Sequence, residues 1–540
     1  MPKKLFIPFF SSLSLFFSSL LPFSSSLLLL LSSLLFFSFL LTSCASLPGI
    51  ITLTPSAAPE FPTEPRYLLT PDSVTLTIPP SATLPAASET PAPSPAPTLT
   101  AETSPAAILS SYTLDALMDY DAKTLQVTQE IIYTHNAETV ETLVLAIRPN
   151  EMPNVFSLQS VSLDGAPLTT YELDGPKLTI RLPAPLENGQ SLALGLEYSL
   201  TLPEMQQENP NLVRPQIFGF SQRQVNLTDW FPLLVPYLPG QGWLLHDPWF
   251  YGEHLVYPLA NFDVTLRFSD PAAAPTVIAA SGDGQPIEAG FRYRLARGRT
   301  FALSMGKTLQ VESAQSGQVL ISSYFYPGSE AAAHAALEAT AKALETYSAL
   351  FGAYPHATLA VVQGDFNDGM EFDGLYYLSD AFYNLYDGTE RNYLVMVAAH
   401  ETCHQWWFGR VANDQFAEPW LDESLATYCE RLFYEKNYPA DVDWWQSYRI
   451  DFYEPKGFID GDLRSYSGFT PYTDATYRRG ARFLQELRQT MGDDAFFAFL
   501  KDYSQTMNGK IASAADFFRL LKAHTSADLN ALLAEYFSAP

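Results

Sequence analysis

The hydrophobic period of this chain changes once, near Ser329, and that change limits it to a β body followed by an α body. Across residues 108–314 apolar and polar side chains alternate, as in Thr124-Leu125-Gln126-Val127-Thr128 and Phe262-Asp263-Val264-Thr265-Leu266-Arg267-Phe268. Turn residues such as Asp164-Gly165 and Asn188-Gly189 cut these runs into short strands. Alternation at regular spacing predicts an all-β domain, saddle or sandwich in shape. Beyond Ser329 the spacing is helical. Residues 330–351 are Ala-rich and amphipathic, and further helices are expected over 392–408, 421–434, 477–491, 495–503, 515–523 and 528–537. A brief apolar strand is expected at 358–362. The expected fold class is therefore multi-domain β plus α, with a β domain over 108–314 and a mostly helical domain over 315–540.

The first 107 residues belong to neither body. Lys3 and Lys4 precede an uncharged run that ends in Leu41-Thr42-Ser43-Cys44. A basic start, an apolar stretch and small residues before a cut describe a secretory signal over 1–43. The last four residues resemble the bacterial lipobox, which implies that Cys44 is the lipid-bearing first residue of the mature chain. An uncleaved membrane anchor is the alternative, and both place Lys3 and Lys4 inside and the rest outside. Residues 46–107 hold 14 of the 41 prolines. Such a segment cannot bury enough apolar area to offset its ordering entropy, so 44–107 is expected to be an anchor and an extended tether. The net charge of −27 argues against nucleic-acid binding and against attraction to anionic lipid, so the hold on a membrane rests on the lipid anchor. Three cysteines exclude a disulfide scaffold.

The chemistry lies in the α body. His400-Glu401-Thr402-Cys403-His404 falls in an expected helix, where residues four apart share a face, so both imidazoles can meet one metal ion. Glu401, at the rim of that face, is placed to act as general base. With 8 His in 540 residues, chance gives such a pentapeptide in about one of a hundred such chains. Glu423 lies nineteen positions beyond His404 and opens the next expected helix. A return between antiparallel helices would bring it beside the histidines. Two His and one carboxylate leave a fourth tetrahedral position open, the mark of a catalytic zinc site with one Zn2+.

These residues resemble the gluzincin aminopeptidases, most strongly over 400–430 and including Gln405-Trp406-Trp407-Phe408-Gly409. The resemblance extends to Gly369-Met370-Glu371 and to Tyr477-Arg478-Arg479-Gly480. It implies a β saddle on a thermolysin-like zinc peptidase domain, with His400, His404 and Glu423 as ligands and Glu401 as base. It further implies that Glu371, with Gly369 and Met370, binds the free α-amine of a peptide, and that Tyr477 stabilises the oxyanion. Tyr472 is the alternative for that tyrosine. An amine-binding Gln from the β domain is matched to Gln222 or Gln224. Two departures stand out: Phe372 follows Glu371 where the family has Asn, and Asp368 adds an acid near the amine site.

Cys403 and Cys429 read as a pair of small buried thiols, with an extra metal ligand or a disulfide as alternatives. Trp406, Trp407, Trp444 and Trp445 are expected in the core. The function expected is that of a membrane-tethered extracytoplasmic zinc aminopeptidase acting on peptides with a free N-terminus. A zinc endopeptidase on the same scaffold and a non-catalytic zinc-containing surface protein are the rivals.

Overall fold

The computed structural model describes residues 109–205 and 216–538. The leader, Cys44 and the Pro-rich stretch lie outside the described residues. The period-two runs form an eight-stranded sheet in the order Asp283–Ile287, Gly290–Gly298, Ala260–Phe268, Ser110–Asp119, Thr124–Thr134, Ser191–Thr201, Phe156–Leu163 and Ala166–Pro167. Ser110–Asp119 is parallel to Ala260–Phe268 and antiparallel to Thr124–Thr134, which sets Leu114 beside Val264 and Gln129. Alternation does what it should: Tyr112, Leu114, Ala116 and Met118 are buried while Thr113 and Leu117 face out. Two four-stranded sheets close the same core with Leu143, Leu145 and Ile180 on one side and Leu227 and Leu303 on the other. Cutting one such leucine to Ala would cost roughly 2–5 kcal/mol. Gln129 is a buried exception, with its amide satisfied by Pro232 O (2.7 Å) and the Tyr198 hydroxyl (3.0 Å).

The second body opens with its own sheet, ordered Gln310–Ser316, Val319–Phe325, Thr358–Gly364, Leu375–Ser379 and Gly369–Phe372. The boundary drawn at 314 therefore cuts a strand of the second domain. Gln310–Ser316 also alternates, so period alone does not separate it from the strands before it. The helix expected over 330–351 forms as Glu330–Phe351 and packs on this sheet, and the remaining helices follow: Tyr393–Cys403, Trp420–Asn437, Gly480–Met491, Asp493–Thr506, Ala514–His524 and Asn530–Tyr536. Gly369–Phe372 is one edge strand, and a cavity opens beside it.

Arg299 joins the two bodies. Its guanidinium is fully buried and donates to Gly409 O (2.9 Å), Tyr257 O (2.8 Å) and Lys510 O (3.0 Å), while its own backbone N–H is held by Asp373. Burial draws its pKa down to about 10 against the pull of Asp373. The turn after the histidine-bearing helix and the turn after the edge strand are thereby fixed to the β domain. Among the described residues no helix is long and apolar enough to cross a membrane.

Candidate active site

The histidine helix, Tyr393–Cys403, begins where the Asn392 side chain accepts from Leu394 N–H at 2.8 Å. It is apolar on nearly every face and buried from Leu394 onward, with His404 as its C-terminal cap. The glutamate helix, Trp420–Asn437, carries Glu423 in its first turn and packs against it. A third segment brings Tyr477. It winds as a wider, π-type turn over Asp474–Arg479 before the α-helix from Gly480, a departure from the single helix expected over 477–491. Gly480 permits the approach, since a β-carbon there would overlap Ser424, whose hydroxyl donates to Thr476 O at 2.6 Å.

Three donor atoms converge. His400 Nε2 and His404 Nε2 are 3.2 Å apart, and Glu423 Oε2 lies 3.4 Å from the first and 3.6 Å from the second. Ligands at zinc distances on a tetrahedron would be about 3.3 Å apart. Glu423 Oε2 is buried and has no hydrogen-bond partner, a cost that a cation would remove. The other ring nitrogens are fixed: His400 Nδ1 meets Glu430 Oε1 at 2.9 Å, and His404 Nδ1 meets Trp407 O at 3.0 Å. Both Nε2 atoms are thus turned inward as acceptors for a metal. Burial, then His400, holds His404 well below the usual histidine range, so it is a neutral ligand. The donor set fits a divalent ion.

Glu401 is one residue past His400 and lines the same cavity, its Oε2 buried without a hydrogen-bond partner. The edge strand stands against it. Gly369 leaves the base its room there, because a β-carbon would overlap Glu401 Oε1. Glu371, two residues on and so on the same strand face, comes within 4.8 Å of Glu401 and His404. Gln405 ties strand to helix, donating to Phe372 O and accepting from Gly374 N–H, each at 3.0 Å. Burial raises Glu371, Glu401 and Glu423 well above the ordinary carboxylate range, and neighbouring carboxylates add to it, Glu253 first at Glu371 and Glu423 and Glu371 first at Glu401.

Tyr477 donates to Glu423 Oε1 at 2.5 Å and stacks over the His400 ring. Burial and Glu423 keep its hydroxyl protonated. Tyr472 also lines the cavity, but it packs edge-on to Tyr477 within a cluster of Tyr251, Phe416 and Leu463. Tyr477 is the one on the ligand.

Two expectations are corrected. Gln224 does not face the cavity: its amide is taken up by Ser304, Gln363 O and the Asp365 N–H. Gln222 lines a separate cavity with Ser221 and Arg223. The β domain instead reaches the site through Tyr251, Gly252 and Glu253, and Glu253 is the neighbouring charge that acts most on both Glu371 and Glu423. No period or motif marks that loop, whose only signal is the aromatic run Trp249-Phe250-Tyr251. The second correction concerns Cys403 and Cys429, read as thiols. They form a disulfide that joins the two ligand helices, with neither cysteine lining the cavity, so the extra-ligand alternative also falls. Trp406 and Trp407 are buried in the core as expected, and Trp445 donates to Glu430 Oε2 at 2.9 Å.

The cavity measures about 450 Å³, within the usual range for a site that takes a small ligand. Residues 335–536 match the model described as the peptidase family M1 domain. The chain is 26% identical over 252 residues to Aminopeptidase M1 of Arabidopsis thaliana, a match covering 44% of this chain and 28% of that one. It is 26% identical over 209 residues to Endoplasmic reticulum aminopeptidase 2 of Homo sapiens, covering 35% and 22%. It therefore spans less than a third of the length of these relatives. The fold is similar to a mutant M1 zinc metallopeptidase from Deinococcus radiodurans, with a TM-score of 0.58 at 20% identity over 80% of this chain and 94% of that one. A second structure of that protein, bound to a Tyr-Ser-Ala substrate, gives 0.57 at 21% over 80% and 94%. Residues 335–536, which hold the ligand set, thus carry a peptidase family M1 domain.

Proposed function

We propose that this chain is an extracytoplasmic zinc aminopeptidase, tethered through Cys44, that removes the first residue from peptides with a free N-terminus. The observation that carries the reading is the convergence of Glu371 with Glu401 and His404 inside one cavity. A buried carboxylate beside the general base is a partner for an ammonium, and a chain held by its ammonium has only its first peptide bond in reach. His400, His404 and Glu423 would hold the zinc. When bound it supplies Lewis acidity, polarising the scissile carbonyl and making water acidic near neutral pH. Glu401 takes the proton of the attacking water and delivers it to the leaving amine as the C–N bond breaks. Tyr477, protonated, donates to the carbonyl oxygen as it gains charge.

Aminoacyl-anilides test this reading, with and without chelator. A zinc-loaded chain that cleaves none of them overturns it. Glu371→Ala is expected to abolish selection for a free amine while zinc content stays intact. N-acetylated peptides separate the endopeptidase reading, in which Glu371 is only structural, since only an endopeptidase cuts them. The intact Glu401 speaks against a non-catalytic surface protein. The tether rests on the sequence of the leader, and Cys44→Ser tests it: the variant should leave the detergent phase in which the parent chain partitions. A parent chain found in the aqueous phase would sink the anchor and leave the peptidase reading standing.

A further inference from the structure

The two helices that carry the metal ligands are joined covalently. Cys403 closes the histidine helix, one residue before His404, and Cys429 stands one residue before Glu430 in the glutamate helix. Their α-carbons are 6.3 Å apart, within the span that a disulfide bridges. Neither cysteine lines the cavity, so the bond acts on the site only through the backbones it ties.

Those backbones are weakly held where the ligands sit. His404 caps its helix, and its N–H reaches His400 O only at 3.4 Å, a long contact. Glu423 is in the first turn of the other helix, its N–H on Pro419 O at 3.2 Å. Both ligands thus lie at helix ends, which fray first. The disulfide closes a loop with a sequence separation of 26 that contains His404 and Glu423 together. Closing it removes arrangements of the metal-free chain in which the two ends drift apart. The Tyr347 hydroxyl bridges the same helices, reaching Ala399 O at 3.1 Å and Cys429 O at 2.9 Å, but by hydrogen bonds alone.

We propose that this disulfide is a redox latch on metal retention: with Cys403 and Cys429 as thiols the site holds zinc weakly, and their oxidation completes it. Forming the bond takes two electrons and two protons from the thiols and gives them to a disulfide oxidant, which leaves as two thiols. Cytoplasmic thiols are kept reduced, whereas exported chains meet such oxidants. In a chain exported as proposed above, zinc is therefore held firmly only after the membrane has been crossed. Cys403 and Cys429 are 0% and 1% exposed, so the folded chain shields the bond from reductant and the latch sets once.

The full chain, freed of metal, is refolded under reduced glutathione and separately under oxidised glutathione. Zinc affinity is then measured by competition with a chelating dye, well below the melting temperature of either form. The oxidised form should bind about tenfold to a hundredfold more tightly. Cys403→Ala combined with Cys429→Ala should bind as the reduced form does under either condition. Alkylation of the unfolded oxidised sample, read by mass spectrometry, should find neither thiol free. Equal affinity of the two forms, even with a lower melting temperature for the reduced one, overturns the proposal and leaves the bond a general staple. Free thiols at both positions after oxidation overturn it as well. An oxidised form that binds zinc more tightly than the reduced one but cleaves no aminoacyl anilide upholds the latch and overturns the aminopeptidase reading instead.

Discussion

Glu430 holds His400 from behind: its Oε1 meets the ring Nδ1 at 2.9 Å, while Arg449 and Trp445 bind the same carboxylate. It stands seven residues past Glu423, two turns along one helix, so a single element supplies both a metal ligand and the partner that orients another. Burial opposes the charge on Glu430, yet Arg449 and His400 outweigh it and keep the carboxylate ionised.

Glu430→Gln keeps an acceptor for His400 and removes the negative charge behind its ring. Metal affinity is expected to fall about tenfold to a hundredfold, as for other partners behind metal-bound histidines. Stability should fall too, because Arg449 is left buried without its counter-charge. Competition with a chelator at neutral pH measures the first effect. Undiminished affinity would mean that Glu430 serves Arg449 alone.

Gly369→Ala addresses the base without touching it. The added methyl overlaps Glu401 Oε1, the free end of a side chain, and presses on Val397 at 3.0 Å. The base moves rather than the backbone, so the cost falls on catalysis more than on folding. A loss of about a hundredfold in kcat, with metal content kept and the melting temperature nearly unchanged, is expected from displacing a catalytic group. A variant with the parent kcat would show that Glu401 is not positioned by this strand.

What was legible in the sequence followed from fixed spacings. His400 and His404 declare themselves because four residues are one helical turn, and Glu423 because a catalytic zinc site wants a third protein ligand on a neighbouring helix. Alternation gave the β domain for the same reason. Tertiary contacts were the illegible part. Glu253 reaches the site from a loop of the β domain, and nothing in its neighbours' period points there. Gln222 and Gln224 have the right residue type, but the loop turns one into the core and the other to a separate cavity. Gln310–Ser316 alternates like the strands before it while pairing with the strands after it, which is why the boundary fell inside it.

The pH dependence of the metal-free chain follows from the raised carboxyls. Glu371, Glu401 and Glu423 bind protons more tightly folded than unfolded, chiefly through burial. Their contribution to stability is full below the ordinary value of 4.5 and is lost as pH rises through the folded values. His404, lowered from 6.5, opposes this on the acid side, one group against three. The metal-free chain should therefore melt at a lower temperature at about pH 8 than at about pH 5.5, and zinc should raise the melting temperature most at the higher pH. Scanning thermal unfolding across that range with and without chelator checks it. A metal-free melting temperature that climbs with pH contradicts the assignment of these three acids to one buried cavity.

Tyr477 and Tyr472 stand 5.7 Å apart, ring edge to ring face, and both line the cavity, so their roles separate by substitution. Tyr477 reaches Glu423 Oε1 and stays protonated; Tyr472 is fixed among Tyr251, Phe416 and Leu463. Removing one oxyanion donor costs about a hundredfold to a thousandfold in kcat. Tyr477→Phe should show that loss with KM little changed, since the bond forms only as charge develops on the oxygen. Zinc content should stay near the parent value, because a hydrogen bond to Glu423 is lost and a ligand is not. Tyr472→Phe should retain most of kcat, its ring still filling the cluster. The opposite ranking of the two variants would make Tyr472 the donor and reduce Tyr477 to orienting Glu423.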